Sequence, residues 1–140
     1  MPYKNGAVIF ITDANRILLV RDIKNHKWMT PGGGLNYGER SRDGAFREFF
    51  EETTFKIDQG KIINEIRHNY TSRCGDSTAI FIIRSNQKFG NFNPTNETDA
   101  IYYIKIDDFK NLINFGIPHH TVKVLRSVVI KSSKELIHLL

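Results

Sequence analysis

Residues Pro31 to Phe55 read PGGGLNYGERSRDGAFREFFEETTF, and the reading of the whole chain turns on that stretch. It opens on Gly32-Gly33-Gly34, expected as a turn that brings bare backbone close to a ligand because no Cβ intervenes. Ser41 is the expected N-cap of a helix, with Asp43 in the first turn where a carboxylate suits the helix dipole. At about 100° per residue, Ala45, Phe46, Phe49 and Phe50 share one face. Glu48, Glu51 and Glu52 share roughly the opposite face, where like charges repel. Arg47 is spaced to pair with Glu51, yet one guanidinium does not neutralise three acids. A hard divalent cation would, since it takes oxygen ligands and is held by a few carboxylates plus substrate phosphates. The plain alternative is an amphipathic helix with a solvated acidic face. The glycines just ahead of it favour a site.

The spacing also carries a resemblance. Gly33, five residues, Glu39, seven residues, Arg47-Glu48, then Phe49, Glu51-Glu52, Thr54 and Phe55 resemble the Nudix box, G-x5-E-x7-R-E-U-x-E-E-x-G-U with U apolar. Every charged position fits, and the chain departs at one place, Thr54 for Gly. The family's glycine there is read as a helix-terminal residue with positive φ, which is awkward for a β-branched side chain. Gly44, inside the helix, costs about 1 kcal/mol against Ala; close packing against a neighbour would explain it.

The resemblance implies an α/β fold, a Nudix-like α/β/α sandwich with a mixed sheet and flanking helices. It implies Glu48, Glu51 and Glu52 as metal ligands for Mg²⁺ or Mn²⁺, with the backbone carbonyl of Gly32 facing the same ion. Glu48 is the expected general base, Arg47 orients the acids, and Glu39 ties the loop to the helix, contact with the metal through water being the alternative. Glu97, on a loop ahead of a strand, matches the place where many members carry a further acidic ligand or base; a solvated loop carboxylate is the alternative. Metal-activated water would attack a pyrophosphate linkage in a substrate with a diphosphate joined to another group. Diphosphoinositol polyphosphates, capped RNA and nucleoside triphosphates are alternative substrates. A non-catalytic anion- or RNA-binding module is the alternative of another class, against which the intact acids argue.

The composition sets the frame. The chain has 140 residues, 40% of them hydrophobic and 25% charged, as expected for one globular domain over 1–140. The longest apolar runs, Ala7–Ile11 and Ala79–Ile83, are too short to span a bilayer. No signal-peptide pattern opens the sequence, and a single cysteine, Cys74, suits a reducing compartment. A cytoplasmic location and no membrane partner are therefore expected. The net charge is +5 despite the acidic helix, so basic surface lies elsewhere and would attract phosphorylated small molecules or RNA. Arg21, Lys24 and Lys27, ahead of the glycines, are candidates to steer phosphates toward Gly33 and Gly34. Oligomeric state is not legible.

Along the chain, Ala7–Thr12 and Arg16–Arg21 read as a β-hairpin, and Trp28–Thr30 as a short strand ending at Pro31. Lys61–Tyr70 reads as a strand with Ile62, Asn64, Ile66, His68 and Tyr70 on one side. Thr78–Arg84 reads as a central strand, Ser85–Thr98 as a long loop, and Ile101–Ile106 as a strand. Asp107-Asp108 would start a short helix and Pro118 a last one. His68, His119 and His120 are weaker candidates, more often structural than ligating. Tyr3, Tyr70, Phe89, Phe92, Tyr102 and Tyr103 are candidates to stack on a base or to fill the core.

Overall fold

The computed structural model describes residues 3–24, 26, 28–71 and 77–109. Cys74, Lys27, His119, His120 and the expected C-terminal helix lie outside those residues.

Two β-branched runs form the spine. β1 (Asn5–Ile11) and β2 (Arg16–Asp22) make the expected hairpin, closed by a turn in which Asn15 takes φ 57°; a left-handed residue after a turn matches the right-handed twist of the strands. The two strands meet only near the turn, at Ile11 opposite Ile17. Beyond it they diverge, and two short strands occupy the fork. β3 (Trp28–Met29) pairs with β2, while β4 (Gly32–Gly34) pairs antiparallel with Asn5–Ala7 of β1. The three glycines are therefore strand rather than turn, and none of them has positive φ. Their bareness serves close approach: a Cβ on Gly32 would lie 2.6 Å from the Gly6 carbonyl oxygen.

β5 (Ile62–Thr71) and β6 (Ser77–Ser85) complete one side, with β6 parallel to β1 and antiparallel to β5. β7 (Thr98–Lys105) pairs with β2 on the other. The expected alternation along β5 fails at its start. A bulge between Ile62 and Asn64 shifts the register, so Ile62 packs toward the helix while Ile66 packs on the opposite face. An extra residue in one strand reverses the facing of all that precede it.

The apolar runs of β1 and β6 are buried throughout because both sheet faces are covered. Val8, Phe10, Leu18, Val20, Phe81 and Ile83 face helix α1 (Ser41–Thr53) and its Ala45 and Phe49. Ile9, Ile11, Ile17, Leu19, Ile80 and Ile82 face the other way, against Ile106 and Phe109 of a helical turn at residues 106–109. Fully burying a side chain such as Phe49 stabilises by about 1.5–3 kcal/mol. Phe50, expected with the buried face, is 50% exposed.

The long segment after β6 is anchored rather than loose. Phe89 stacks on Phe55 at 4.6 Å and meets Phe10 and Phe49, which assigns this ring to the core. The N-cap of α1 is Arg40, one residue before the expected Ser41, and no side chain caps the helix. At the other end Thr54 takes φ 64° and ψ 6°, its N–H donating to the Phe50 carbonyl at 2.7 Å. The residue is thus held in the left-handed conformation that the family's glycine implied. Gly44 is explained by crowding, since a Cβ there would lie 2.2 Å from Leu35 Cδ2 and 2.7 Å from Glu39 Oε1.

Candidate active site

α1 runs beneath β4, and that crossing sorts its three glutamates by depth. Glu51 is outermost, its side chain 44% exposed. Glu48 is mostly covered, and its carboxylate lies so close to Gly33 that a Cβ there would come within 2.7 Å of it. Glu52 is 3% exposed and accepts the Gly32 N–H at 2.7 Å. Periodicity alone puts the three on one stripe; the strand laid across it decides which are sealed.

Arg47 gathers the acids. Its Nε and Nη2 donate to Glu39 at 2.9 and 3.0 Å as a fork, and Nη2 also donates to the Gly34 carbonyl at 2.9 Å. Nη1 reaches Glu48 and Glu51 at 3.1 Å. Glu39 in turn accepts the Asn36 N–H at 2.9 Å. The guanidinium therefore ties the Asn36–Glu39 loop, strand β4 and two helix acids together. It is held more firmly protonated than usual by Glu39 first, then Glu51 and Glu48, while Arg47 and then the Asn36 N–H hold the Glu39 carboxyl below its ordinary range.

Glu52 has no such partner among the ion pairs of the described residues. Burial first, then the charges of Glu48, Glu97 and Asp22, push its carboxyl up to about 8 against the pull of the Gly32 N–H. Glu48 is also raised, by burial ahead of the opposing effect of Arg47, with Glu51 and Glu97 adding to the rise. Five carboxylates, Asp22, Glu48, Glu51, Glu52 and Glu97, thus interact at the end of the sheet where β2 finishes and β7 begins.

The opposite wall comes from two loops. Ile23 N–H donates to the Glu97 carbonyl at 2.9 Å, and Thr95 Oγ1 accepts N–H groups of both Glu97 and Thr98. Thr98 Oγ1 donates to the Glu52 carbonyl at 2.5 Å. This turn holds exposed Glu97 over a cleft of about 460 Å³ lined by Asp22, Ile23, Lys24, Glu52, Asn96 and Glu97. Asp22 was not foreseen; only its place at the end of a strand pointing to the site would have suggested it. Of the basic residues ahead of the glycines, Lys24 lines the cleft. Arg21 instead pairs with Asp99 at 2.7 Å and lies 5.8 Å from the Trp28 ring.

Among the described residues no three carboxylate, imidazole or thiolate side chains are grouped so as to hold a metal ion by themselves. The donor set nonetheless fits a hard divalent ion. Such an ion keeps several waters and takes one or two carboxylates plus substrate phosphates, and Glu48 lies over bare Gly33 backbone in a cradle that any side chain would fill. A buried acid beside a mostly covered one, without a full cationic complement, makes a strong local demand for positive charge.

A mixed sheet with an acid-striped helix crossing a glycine strand is an α/β architecture whose acids are grouped to suit metal-assisted phosphoryl chemistry. The NUDIX domain family matches residues 2–123, and the chain belongs to the Nudix family of hydrolases. Solved structures share the fold. An Ap4A hydrolase from C. elegans is 16% identical with a TM-score of 0.66, covering 95% of this chain and 98% of that one. The dihydroneopterin triphosphate pyrophosphohydrolase of E. coli is 14% identical with a TM-score of 0.62, covering 95% and 97%. A bifunctional NMN adenylyltransferase/ADP ribose pyrophosphatase from Francisella tularensis is 18% identical with a TM-score of 0.65, covering 96% of this chain and 41% of that one.

Proposed function

We propose that the chain is a Mg²⁺- or Mn²⁺-dependent pyrophosphohydrolase acting on a small phosphorylated substrate, with a nucleoside diphosphate joined to another group as the favoured class. The observation that carries the reading is Glu52, buried against Gly32 beside Glu48 and facing Glu97 across a cleft. Burying that much negative charge costs several kcal/mol unless a cation or protons offset it. Glu48 and Glu52, with the Gly32 carbonyl, would hold the ion, and Glu51 at the exposed end would reach it through water. A bound divalent cation supplies charge neutralisation at the phosphoryl oxygens and makes water more acidic.

The residues around it divide the remaining work. Arg47 fixes Glu48 and Glu51, which keeps the helix acids from rotating away. Glu97 is exposed, lines the cleft, and is the acid best placed to accept a proton from the attacking water; Glu48, mostly covered beside Arg47, is better suited to ligation. Lys24 meets the substrate's outer phosphates, with Lys27 as a second cation ahead of the glycine strand. Gly33 and Gly34 let those phosphates approach the backbone. The structural relatives above are named for Ap4A, ADP ribose or dihydroneopterin triphosphate, which supports a pyrophosphate linkage flanked by an organic group.

The test is release of phosphate from dinucleoside polyphosphates, nucleotide sugars, nucleoside triphosphates, capped RNA and inositol pyrophosphates, with Mg²⁺ or with chelator. Glu52→Gln keeps shape and should lower turnover at least about tenfold, roughly 1.4 kcal/mol in the barrier. Near-normal turnover in folded Glu52→Gln would refute the assignment, and no hydrolysis across the panel would favour a binding module.

A further inference from the structure

The far end of the sheet carries a second cleft of about 360 Å³, lined by Asn15, Arg16, Arg84, Lys105, Ile106 and Asp107 together with Ala14. Seven residue steps along β7 lead from Thr98, beside the active site, to Lys105, about 23 Å at roughly 3.3 Å per residue. Nothing in the hydrolytic reading uses this place. We propose that it is a second binding site, for a polyphosphate group, distinct from the catalytic cleft.

Register supplies the first reason. Arg16 and Lys105 stand directly opposite each other across the β2–β7 pair, where facing Cβ atoms are about 4.5–5.5 Å apart and like charges destabilise. A sheet that sets two cations opposite each other at the mouth of a cleft makes an anion there stabilising. Arg84 lines the cleft as well, and Asp107 is the one acid among the lining residues.

The floor is organised rather than loose. Arg84 Nη1 donates to Asn15 Oδ1 at 2.9 Å, so the remaining polar atom of that side chain, its amide nitrogen, is a donor. The Asn15 carbonyl accepts the Ile106 N–H at 3.0 Å, and Arg16 Nη1 donates to the Tyr103 carbonyl at 3.3 Å. Asn15 is held at φ 57° by the hairpin turn. These bonds fix the turn, the start of the helical segment and the end of β7 around a cavity with room for about a dozen waters of ~30 Å³ each. Donors of several kinds, three cations and that volume suit adjacent phosphates better than a single one.

Tripolyphosphate titrated into ¹⁵N-labelled full-length protein without divalent ions tests this. The expected result is saturable shifts at the amides of Asn15, Arg16, Lys105 and Ile106, with a smaller response at Gly32–Gly34. Affinity should fall with salt. Arg16→Gln/Lys105→Gln should weaken tripolyphosphate binding at least tenfold and leave kcat/KM for a small substrate with Mg²⁺ unchanged. Removing the facing charges should also raise Tm in the absence of ligand. Shifts confined to Gly32–Gly34 and Lys24, or a double variant that binds as the parent does, would overturn the proposal. So would an oligoribonucleotide occupying this face at concentrations where tripolyphosphate does not, which would assign it to a nucleic-acid backbone instead. Tight binding of orthophosphate with no gain for tripolyphosphate would overturn the polyphosphate assignment.

Discussion

Thr54→Gly should stabilise the protein, although it removes a side chain and puts glycine at a helix end. Thr54 sits at φ 64° and ψ 6°, where an L-residue pays about 1–2 kcal/mol for the approach of Cβ to the following carbonyl. A β-branched side chain lies at the upper part of that range. The side chain is exposed, so little packing is lost. Its Oγ1 donates to the Thr53 carbonyl at 2.5 Å, a part-buried contact to the adjacent residue whose loss offsets about 0.5 kcal/mol. The flexible glycine stabilises the unfolded chain by about 0.4–1 kcal/mol. The net gain is about 0.5–1 kcal/mol, a rise of roughly 1–4 °C in Tm for a domain of this size. Melting curves of parent, Thr54→Gly and Thr54→Asn measured side by side decide it, with urea midpoints at constant m as a check. Asn, which tolerates the left-handed region, should fall between the two. A Tm for Thr54→Gly below that of the parent would refute the account of this helix end.

Other perturbations probe the site. Arg47→Lys keeps the charge but not the fork to Glu39, so it should cost about 1–3 kcal/mol in urea unfolding and lower kcat more than it raises KM. Gly33→Ala places a methyl within 2.7 Å of the Glu48 carboxylate; divalent-ion affinity measured by calorimetry should fall at least about tenfold while the circular dichroism spectrum is kept. In metal-free protein the Glu52 carboxyl, raised to about 8, binds its proton more tightly folded than unfolded. Its contribution is present in full at pH 4 and is lost as pH rises toward and through 8. Tm should drop over that window, the drop should shrink in Glu52→Gln, and Mg²⁺ should restore Tm at pH 8.

Helix α1 and its acids were legible in the sequence because a helix is a local structure: 3.6 residues per turn fix which side chains share a stripe once the segment is helical. The hairpin of Ala7–Thr12 with Arg16–Arg21 was legible for the same kind of reason, and the unbroken apolar run of Thr78–Arg84 announced a central strand. The need for a left-handed residue at Thr54 followed from one departure in a spaced pattern. Other features depended on partners distant in the chain. The depth of Glu52 against Glu51 was set by β4 lying across the helix, and the glycines became a strand because Asn5–Ala7 was there to pair with. Glu97 and Asp22 reach Glu52 only through the pairing of β2 with β7 and the bond from Thr98 to the helix end. Arg16 faces Lys105 by the same register, and one extra residue at Ile63 reverses the start of β5. Strand pairing joins residues far apart in sequence, and a shift of one residue exchanges the two faces, so side-chain period alone does not say which strands meet or in what register.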